Sequence, residues 1–467
     1  MVNCQIGSTW WASFLVLTRV VLLISGPIGF LASEANALTI KDAVRIAIST
    51  HPDVRGAVAV ENAGQQQILD DRSDFFPTID GKAESGLAHT NNSSTRGRSS
   101  RPNGGQAGVT TLHNLGELRA TQKIFDGFDT TSRVKAAENR GNAARFSLID
   151  TTEATALRAV DAFLEVNRLR EFVRLAEENV AAHVEVVEDA KFSSEGGQGQ
   201  GADVFQAQSR EALSKARLRE IRGQLRRAEA DYNEVIGSFP ETLDPAIPDS
   251  NEMSQSLDDA LALAIKNSPV LNSKRSESFA ARDDIETSKS SFWPTLDLEL
   301  TSRRQQNTGG TRGPSLSHQG LFVLQYNFFS GGRDRARYNR SIKLAERASQ
   351  EEASVRRLVE EQIRFDYANY QTAADRLPLL KTRVVASSEV VDGYEVQFTI
   401  GRRTLLDVLD VKNELFQAKI GLIDGFTQLK RIQFQFHATL GQLLKVLGLS
   451  QTDINYENDA NNSGKPK

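Results

Sequence analysis

The stretch Phe75–Asp80, FFPTID, returns as SFWPTLD at Ser291–Asp297, in a chain of 467 residues that holds only 12 prolines. Outward from this phrase the likeness continues. LTIKDAVRIAISTHPDV from Leu38 aligns with QSLDDALALAIKNSPVL from Gln255, so that Pro52 pairs with Pro269 and Pro77 with Pro294 at one constant offset. Further on, KIFDG at Lys123 aligns with NFFSG at Asn327, and GQGQGADVFQAQ at Gly197 with GRRTLLDVLDVK at Gly401, both at a second, shorter offset. The change of offset falls where the first copy carries NNSSTRGRSSRPNGGQAG and the second only QQNTGGTRGPS. A length difference confined to a Gly/Ser/Pro-rich stretch marks a loop. The chain is therefore two copies of one unit.

Each unit opens with a helical pattern, with Asp42 or Asp258 in its first turn, and the proline after Phe76 or Trp293 ends the helix. Period-two alternation follows. Leu296, Leu298 and Leu300 point one way and Thr295, Asp297, Glu299 and Thr301 the other; after the loop, Phe322, Leu324, Tyr326 and Phe328 share a face. Half-apolar strands of about ten residues with aromatics toward one end fit a membrane β-hairpin; the alternative is a soluble hairpin on a helical domain. Two hairpins give four strands per chain, and about eight are needed to close a barrel. If the hairpins cross lipid, several chains share one barrel.

After each FDG or FSGG turn a long helix begins. Asp129–Glu195 contains no proline and one glycine, Gly141. Those 67 residues would span about 100 Å. Val173, Ala176, Val180, His183, Val187 and Ala190 trace a seam with spacings of three and four. Val384, Ser387, Val391 and Tyr394 follow the same register in the second unit, and Leu415, Ala418, Leu422, Gly425, Leu429 and Ile432 continue it on the returning helix. The pattern predicts a coiled coil, with ordinary bundle packing as the alternative. Pro378 has no counterpart in the first copy and is expected to break or kink the second long helix.

The expected organisation is a signal peptide over 1–37, a first repeat over 38–250 (β-hairpin about 77–125, helical hairpin about 129–237), a second over 251–449 (about 294–329 and 333–447) and a polar tail over 450–467. Arg19 precedes the apolar run VVLLISGPIGFLAS, and ANA at Ala35–Ala37 supplies a small-x-small cleavage pattern. The run is short and carries Gly26 and Pro27, which favours a removable signal over a membrane anchor. Cys4 is the only cysteine, lies within that segment and is not in a lipobox, so disulfide and thiolate chemistry are not expected of the mature chain. A net charge of -4 in a 25% charged chain argues against a nucleic-acid binder, which concentrates basic residues on one face. No catalytic, cofactor or metal constellation emerges. The six histidines are scattered, His51 is replaced by Ser268 in the second copy, and GGQGQG at Gly196–Gly201 lacks the Lys-Ser/Thr of a phosphate loop.

The repeated openings, FFPTID/SFWPTLD, FDG/FSGG and GRRTLLDVLDVKNELFQAK together resemble the TolC outer-membrane efflux family over about Leu38–Leu449. IFDGFDTTSRV, FFSGGRDRAR and LLDVLDVKNELFQAK look most like its agglutination-protein branch, whose members serve type I secretion. The resemblance implies a mainly α chain with membrane β. It would form a homotrimer whose three chains of four strands make a 12-stranded barrel in the outer membrane of a Gram-negative bacterium, continued across the periplasm by a coiled-coil α-barrel. Its implied partners are outer-membrane lipid, a periplasmic adaptor, and an inner-membrane ABC transporter or other efflux pump. It implies no enzymatic activity. A multidrug duct of the same architecture and a structural envelope protein are the competing functions. Twelve strands at about 4.8 Å, tilted about 40°, give a backbone diameter of about 24 Å, wide enough for an unfolded chain.

Gly196–Ala202 and Phe398–Thr404 read as the two hairpin tips, with Gly197, Gly199, Gly201, Gly401, Arg402 and Thr404 expected to meet the adaptor. By the resemblance, Asp407 and Asp410 line a periplasmic constriction that Arg403 helps hold closed, and Phe398 stands where the family's best-known member has a tyrosine. Asp407 and Asp410 are three apart and can share a helix face; the plainer reading makes them exposed early-turn residues favoured by the helix dipole. The first copy keeps Asp203 but has Gln206 in place of the second acid.

Overall fold

The computed structural model describes residues 37–92, 95, 108–196, 201–245 and 256–450. The expected signal segment with Cys4, the expected tip residues Gly197 and Gly199, and the tail from 451 lie outside the described residues. Each unit starts with a short capped helix. In α1 (Ile40–Thr50) the Thr39 hydroxyl accepts from the Asp42 N–H, and Ile40, Ala43, Val44, Ala47 and Ile48 form one buried stripe. In its counterpart α5 (Leu257–Asn267) Ser256 caps Asp259 in the same way, and Ala260, Leu261 and Ala264 are buried. Such caps satisfy helix-start N–H groups that lack an intrahelical partner. The paired prolines open the next helices, α2 (Pro52–Ser73) and α6 (Pro269–Lys289), where a missing N–H costs nothing. His51 is the N-cap of α2, its Nδ1 accepting from Asp53 N–H at 3.2 Å. Ser268 holds the same position before α6 without a side-chain bond, and the buried His51 also stands 4.0 Å from Glu234 through its Nε2.

The repeated aromatic-Pro-Thr phrase ends each of these helices and starts a strand. Strands β1 (Thr78–Thr90), β2 (Val109–Phe125), β3 (Thr295–Gln306) and β4 (Pro314–Gln325) form one antiparallel sheet in the order β1-β2-β3-β4. β4 stops at Gln325, earlier than the alternation suggests. Tyr326 and Phe328 follow the strand and meet edge to face, ring centres 4.8 Å apart. Helices α3 (Asp129–Glu195) and α7 (Arg333–Thr399) then run 67 residues each, and the repeat aligns both their first and their last residues. They are followed by α4 (Gly201–Ile236), α8 (Leu405–Thr439) and the single turn α9 (Leu443–Val446). α7 is continuous through Pro378, so the proline does not break it.

α2 packs on α3, α3 on α6 and α6 on α7. This order repeats the strand order, because each strand is continuous in sequence with one of these helices. At the other end α4 packs on α3, α3 on α8 and α8 on α7. The two units meet at the FDG turn. Gly127 (φ +69°) lies so close to the SFWP phrase that a Cβ there would fall 2.7 Å from Ser290 O and 2.8 Å from Trp293 Cβ. Only glycine fits both the backbone angle and the space. The equivalent Gly331 (φ +69°) has nothing within 4 Å.

The main core lies midway along the helices, where α1, α3, α4, α8 and α9 converge. Ala156, Ala159, Val160, Phe163, Tyr232, Phe434 and Leu443 are buried there. Leu38 is tied to the end of the first unit by Leu38 N–H to Thr242 O (2.9 Å) and Asp244 N–H to Leu38 O (3.0 Å). Glu153, 5% exposed, accepts the Leu443 N–H at 3.0 Å and so anchors the start of α9. Burial outweighs those backbone donors and pushes its carboxyl up to about 7 from an ordinary 4.5. A raised acid binds its proton more tightly folded than unfolded, so stability falls as pH rises from about 4.5 to about 7. Thermal melts of the detergent-solubilised protein across that interval should show the loss, on the order of 3 kcal/mol from this group. Glu153→Gln, which keeps the acceptor, should flatten the slope.

Candidate functional site

Three regions carry the features a channel needs. The first is the sheet. Ladder partners project to the same side, so the register sorts residues by face. One face is apolar. Ile79 stands beside Ala120, Leu118 beside Gly81, Leu298 beside Phe322, and Leu296 beside Leu324. Ile79, Leu118, Phe322 and Leu324 are each more than 60% exposed in the single chain. The opposite face is charged. Glu117 accepts from Arg303 Nε at 2.7 Å and Arg119 at 3.1 Å, Arg119 stands 4.0 Å from Glu299, and Lys82 pairs with Glu84 at 2.5 Å. Apolar out and polar in is the arrangement of a strand wall between lipid and an aqueous lumen. At the helix end of the sheet Phe75, Phe76, Trp293, Tyr326, Phe328 and Phe329 are all exposed, as in the aromatic girdles that sit at membrane interfaces.

The second region is a set of ion pairs at the middle of the helical layer. Arg168 on α3 reaches Asp424 on α8 at 2.7 Å, and Arg431 on α8 reaches back to Asp161 (3.0 Å) and Glu165 (3.3 Å) on α3. These pairs fasten the second helical hairpin to the first.

The third region is the tip between α7 and α8. α7 ends in a Schellman motif. Gly401 (φ +73°) donates its N–H to Phe398 O and Arg402 donates to Gln397 O, both at 2.9 Å. Thr404 then caps α8 in a reciprocal box: its hydroxyl accepts from Asp407 N–H (3.2 Å) and Asp407 Oδ2 accepts from Thr404 N–H (3.0 Å). The Thr404 N–H, with a smaller part from Arg403, holds the Asp407 carboxyl below its ordinary range. Asp407 is thus both a cap and an ionised group at the tip.

Asp410 forms an ion pair with Arg210 of α4 at 2.8 Å. Arg403 lies over the Tyr394 ring at 4.2 Å and donates to Gln397 at 3.0 Å, both on its own hairpin. Phe398 is half-buried, and Arg402 and Thr404 are exposed. Beneath the tip Leu409 is buried against Val186, Val187, Ala190 and Ala207 of the first hairpin. At the first tip Gly201 starts α4 with open space around it, and Asp203 lies in the first turn. His183, on the α3 seam, is buried, and burial together with Arg210 and Lys412 lowers its pKa.

Asp407 and Asp410 do lie within one turn of each other, yet each already has a partner. Sequence reasoning missed Arg210, Gln397 and the Lys412–Glu395 pair (2.8 Å). Only the cap left a local signal, since T-x-x-D before an apolar run is a helix-start pattern.

The outer membrane efflux protein family model matches residues 43–238 and 260–442. Outer membrane efflux protein BepC of Brucella suis biovar 1 is 28% identical over 309 residues, covering 66% of this chain and 68% of that protein. Outer membrane protein TolC of Vibrio cholerae is 22% identical over 453 residues, 93% of this chain and 96% of its own. Proteases secretion protein PrtF of Dickeya chrysanthemi is 21% identical over 422 residues, covering 86% and 87% of the two chains. Among solved structures the outer-membrane channel OprN superposes with a TM-score of 0.73 at 18% identity, covering 86% of this chain and 89% of that one.

Proposed function

The chain belongs to the outer membrane efflux protein family, an outer-membrane channel family rather than a family of enzymes, and from that premise we propose that it forms the outer-membrane conduit of a type I protein-secretion system. Three copies close one 12-stranded barrel, joined to a periplasmic adaptor and an inner-membrane ABC transporter. The observation that supports closure by further copies is the asymmetry of the two FDG-type turns. Gly127 is packed on Ser290 and Trp293 of the second unit, whereas Gly331 faces open space. The residues that the repeat equates with Ser290 and Trp293 are Ser73 and Phe76, and Phe76 is 69% exposed. A second copy offering Ser73 and Phe76 to Gly331 would repeat the internal joint between chains. It would also pair the free edges of β1 and β4. Gly331→Val should leave the chain inserted but reduce the heat-modifiable trimer seen on electrophoresis of outer-membrane fractions. An undiminished trimer would place the joint elsewhere.

Protein cargo is supported by the likeness to PrtF. It is also supported by the expected barrel, about 24 Å across and roomy for an extended polypeptide. A small-molecule efflux duct is the second reading, favoured by the likeness to BepC. A deletion strain separates them. Loss of a large protein from the culture medium with drug susceptibility unchanged is expected. Sensitisation to drugs with an intact secretome would favour efflux.

At the periplasmic end, the exposed tip residues Gly201, Gly401, Arg402 and Thr404 form the adaptor-facing surface, and Asp407, Asp410, Arg403 and Phe398 form the gate. Three copies bring six carboxylates around the entrance, a cation-attracting ring. Phe398 has no hydroxyl, so closure depends on Arg403 and on the Arg210–Asp410 bridge. In planar bilayers Asp407→Ala with Asp410→Ala should weaken cation preference and divalent-cation block. Arg403→Ser and Arg210→Ser should each raise resting conductance. Unaltered conductance and selectivity in all of these variants would move the gate elsewhere.

A further inference from the structure

The strand register gathers the charges of the sheet on one face, pairing Asp80 with Arg119, Glu117 with Arg303 and Lys123 with Asp297. Among the described residues of the four strands, a single Asp, Glu, Lys or Arg departs from this rule. Arg304 stands between Gly116 of β2 and Leu316 of β4, on the apolar face, and it is exposed. No carboxylate of the sheet shares that face. In a closed barrel the next strand beyond β4 is β1, whose apolar face presents Ile79, Ser85 and Leu87 and no acid either. At the offset that aligns Pro77 with Pro294, Arg304 falls on Leu87, so the first unit keeps an apolar residue there. Each chain therefore has one such cation, and its counter-charge has to come from outside the protein.

The height of Arg304 fits a membrane boundary. Leu296, Leu298 and Leu300 precede it on the same face of β3, and Trp293 of the aromatic girdle lies just before them. The eight residues from Leu296 to Arg304 climb roughly 21 Å at about 3.4 Å each and a tilt of about 40°, against an apolar band of about 25 Å in barrels of this kind. A lipid-facing arginine is costly at the bilayer midplane and nearly free at the interface. Arg304 thus belongs to the boundary away from the helices. Polar side chains of the same face collect beside it. Ser85 Oγ donates to Asn114 Oδ1 at 2.8 Å, and Asn114 Nδ2 donates to Gln306 Oε1 at 3.4 Å, a row across three strands just beyond Arg304. The Gln306 Nε2 has no partner among the described residues. A Cβ on Gly116 would meet nothing nearer than Arg304 O at 4.0 Å, so the surface beside the guanidinium is open.

We propose that Arg304 and Gln306, steadied by the Asn114–Ser85 row, bind the phosphate group of an anionic lipid in the outer leaflet. The inference rests on the channel reading, since only a barrel in the outer membrane turns this face to lipid, and it names the lipid chemistry that reading leaves open. The outer leaflet of a Gram-negative membrane is built of phosphorylated glycolipid. A guanidinium offers phosphate two parallel N–H donors, and the Gln306 amide adds a third from the same strand face. The wider charge distribution agrees. Between Glu84 and Glu117, and again between Glu299 and Asp334, the sequence holds arginines and no acid. The loop end of the sheet is therefore cationic, as suits an anionic membrane surface.

Native mass spectrometry of the detergent-solubilised full chain, with lipid A as the probe, tests this. One bound lipid A per chain is expected. Dephosphorylated lipid A should bind the wild type about tenfold or more weakly, and lipid A should bind Arg304→Gln with a similar loss. Arg304→Lys keeps the charge without the fork and should fall between the two. Arg303→Gln removes an equal charge from the opposite face and should bind as the wild type does. Equal binding of the two lipids to the wild type overturns the site, whether or not Arg304→Gln assembles. So does an Arg304→Gln variant that binds normally, or an Arg303→Gln variant that loses as much. Full displacement of lipid A by inorganic phosphate would assign the arginine to a free anion and overturn the lipid site as well. Conductance in bilayers separates the two readings. A conducting channel that does not discriminate the lipids sinks the site alone, and a chain that neither inserts nor conducts sinks the channel reading and the site with it.

Discussion

Backbone hydrogen bonding at the edges of the sheet is the constraint from which the rest of this molecule follows. In a bilayer each unpaired N–H or C=O costs several kcal/mol, and only a closed barrel leaves none. This chain supplies four strands with β1 and β4 as free edges. The helices inherit the same incompleteness, because α2 and α7 continue those edge strands and end the helical layer as β1 and β4 end the sheet. Exposed apolar residues collect on these outer helices, Val60 and Leu69 on α2 and Leu344, Leu358 and Phe365 on α7. A lone copy would leave both the backbone groups and these side chains unmatched.

The internal duplication turns this constraint into a geometry. One unit joins the next through a glycine turn set against an aromatic-Pro-Thr phrase. Within the chain the joint is made at Gly127 and Trp293. Its second half is presented unmade at Gly331. A joint that works once between units of one chain works again between units of different chains, so a repeat of two is suited to closed rotational assemblies.

Function then depends on where the repeat is broken. The units agree in the length of their long helices, yet the second alone has Pro378, the glycines Gly421 and Gly425 and, early in its returning helix, both Asp407 and Asp410. These departures lie on α7 and α8. The first hairpin is the more firmly held, with α3 buried along most of its length between α2, α4, α6 and α8. The ion pairs of Arg168 and Arg431 mark a level at which the two hairpins are joined.

The sequence by itself determined what is local. Periodicity of two and of three-to-four, the acids in the first turns of the opening helices and the two long helices were legible because each depends on residues within a few turns of one another. The repeat was legible because it compares the chain with itself. Two local readings were limited at their margins. Pro378 was expected to break or kink the second long helix, and α7 runs on through it without a break. β4 ends before Tyr326, since alternation marks a face but not a strand end. What only the tertiary structure decided is partnership across distance. Arg210 meets Asp410 from the other repeat, Glu153 holds Leu443, Arg303 meets Glu117, and Gly127 lies under Trp293. None of these leaves a trace in spacing, because each depends on how helices and strands are set side by side, and that is fixed by core packing and sheet register rather than by any segment's own propensity.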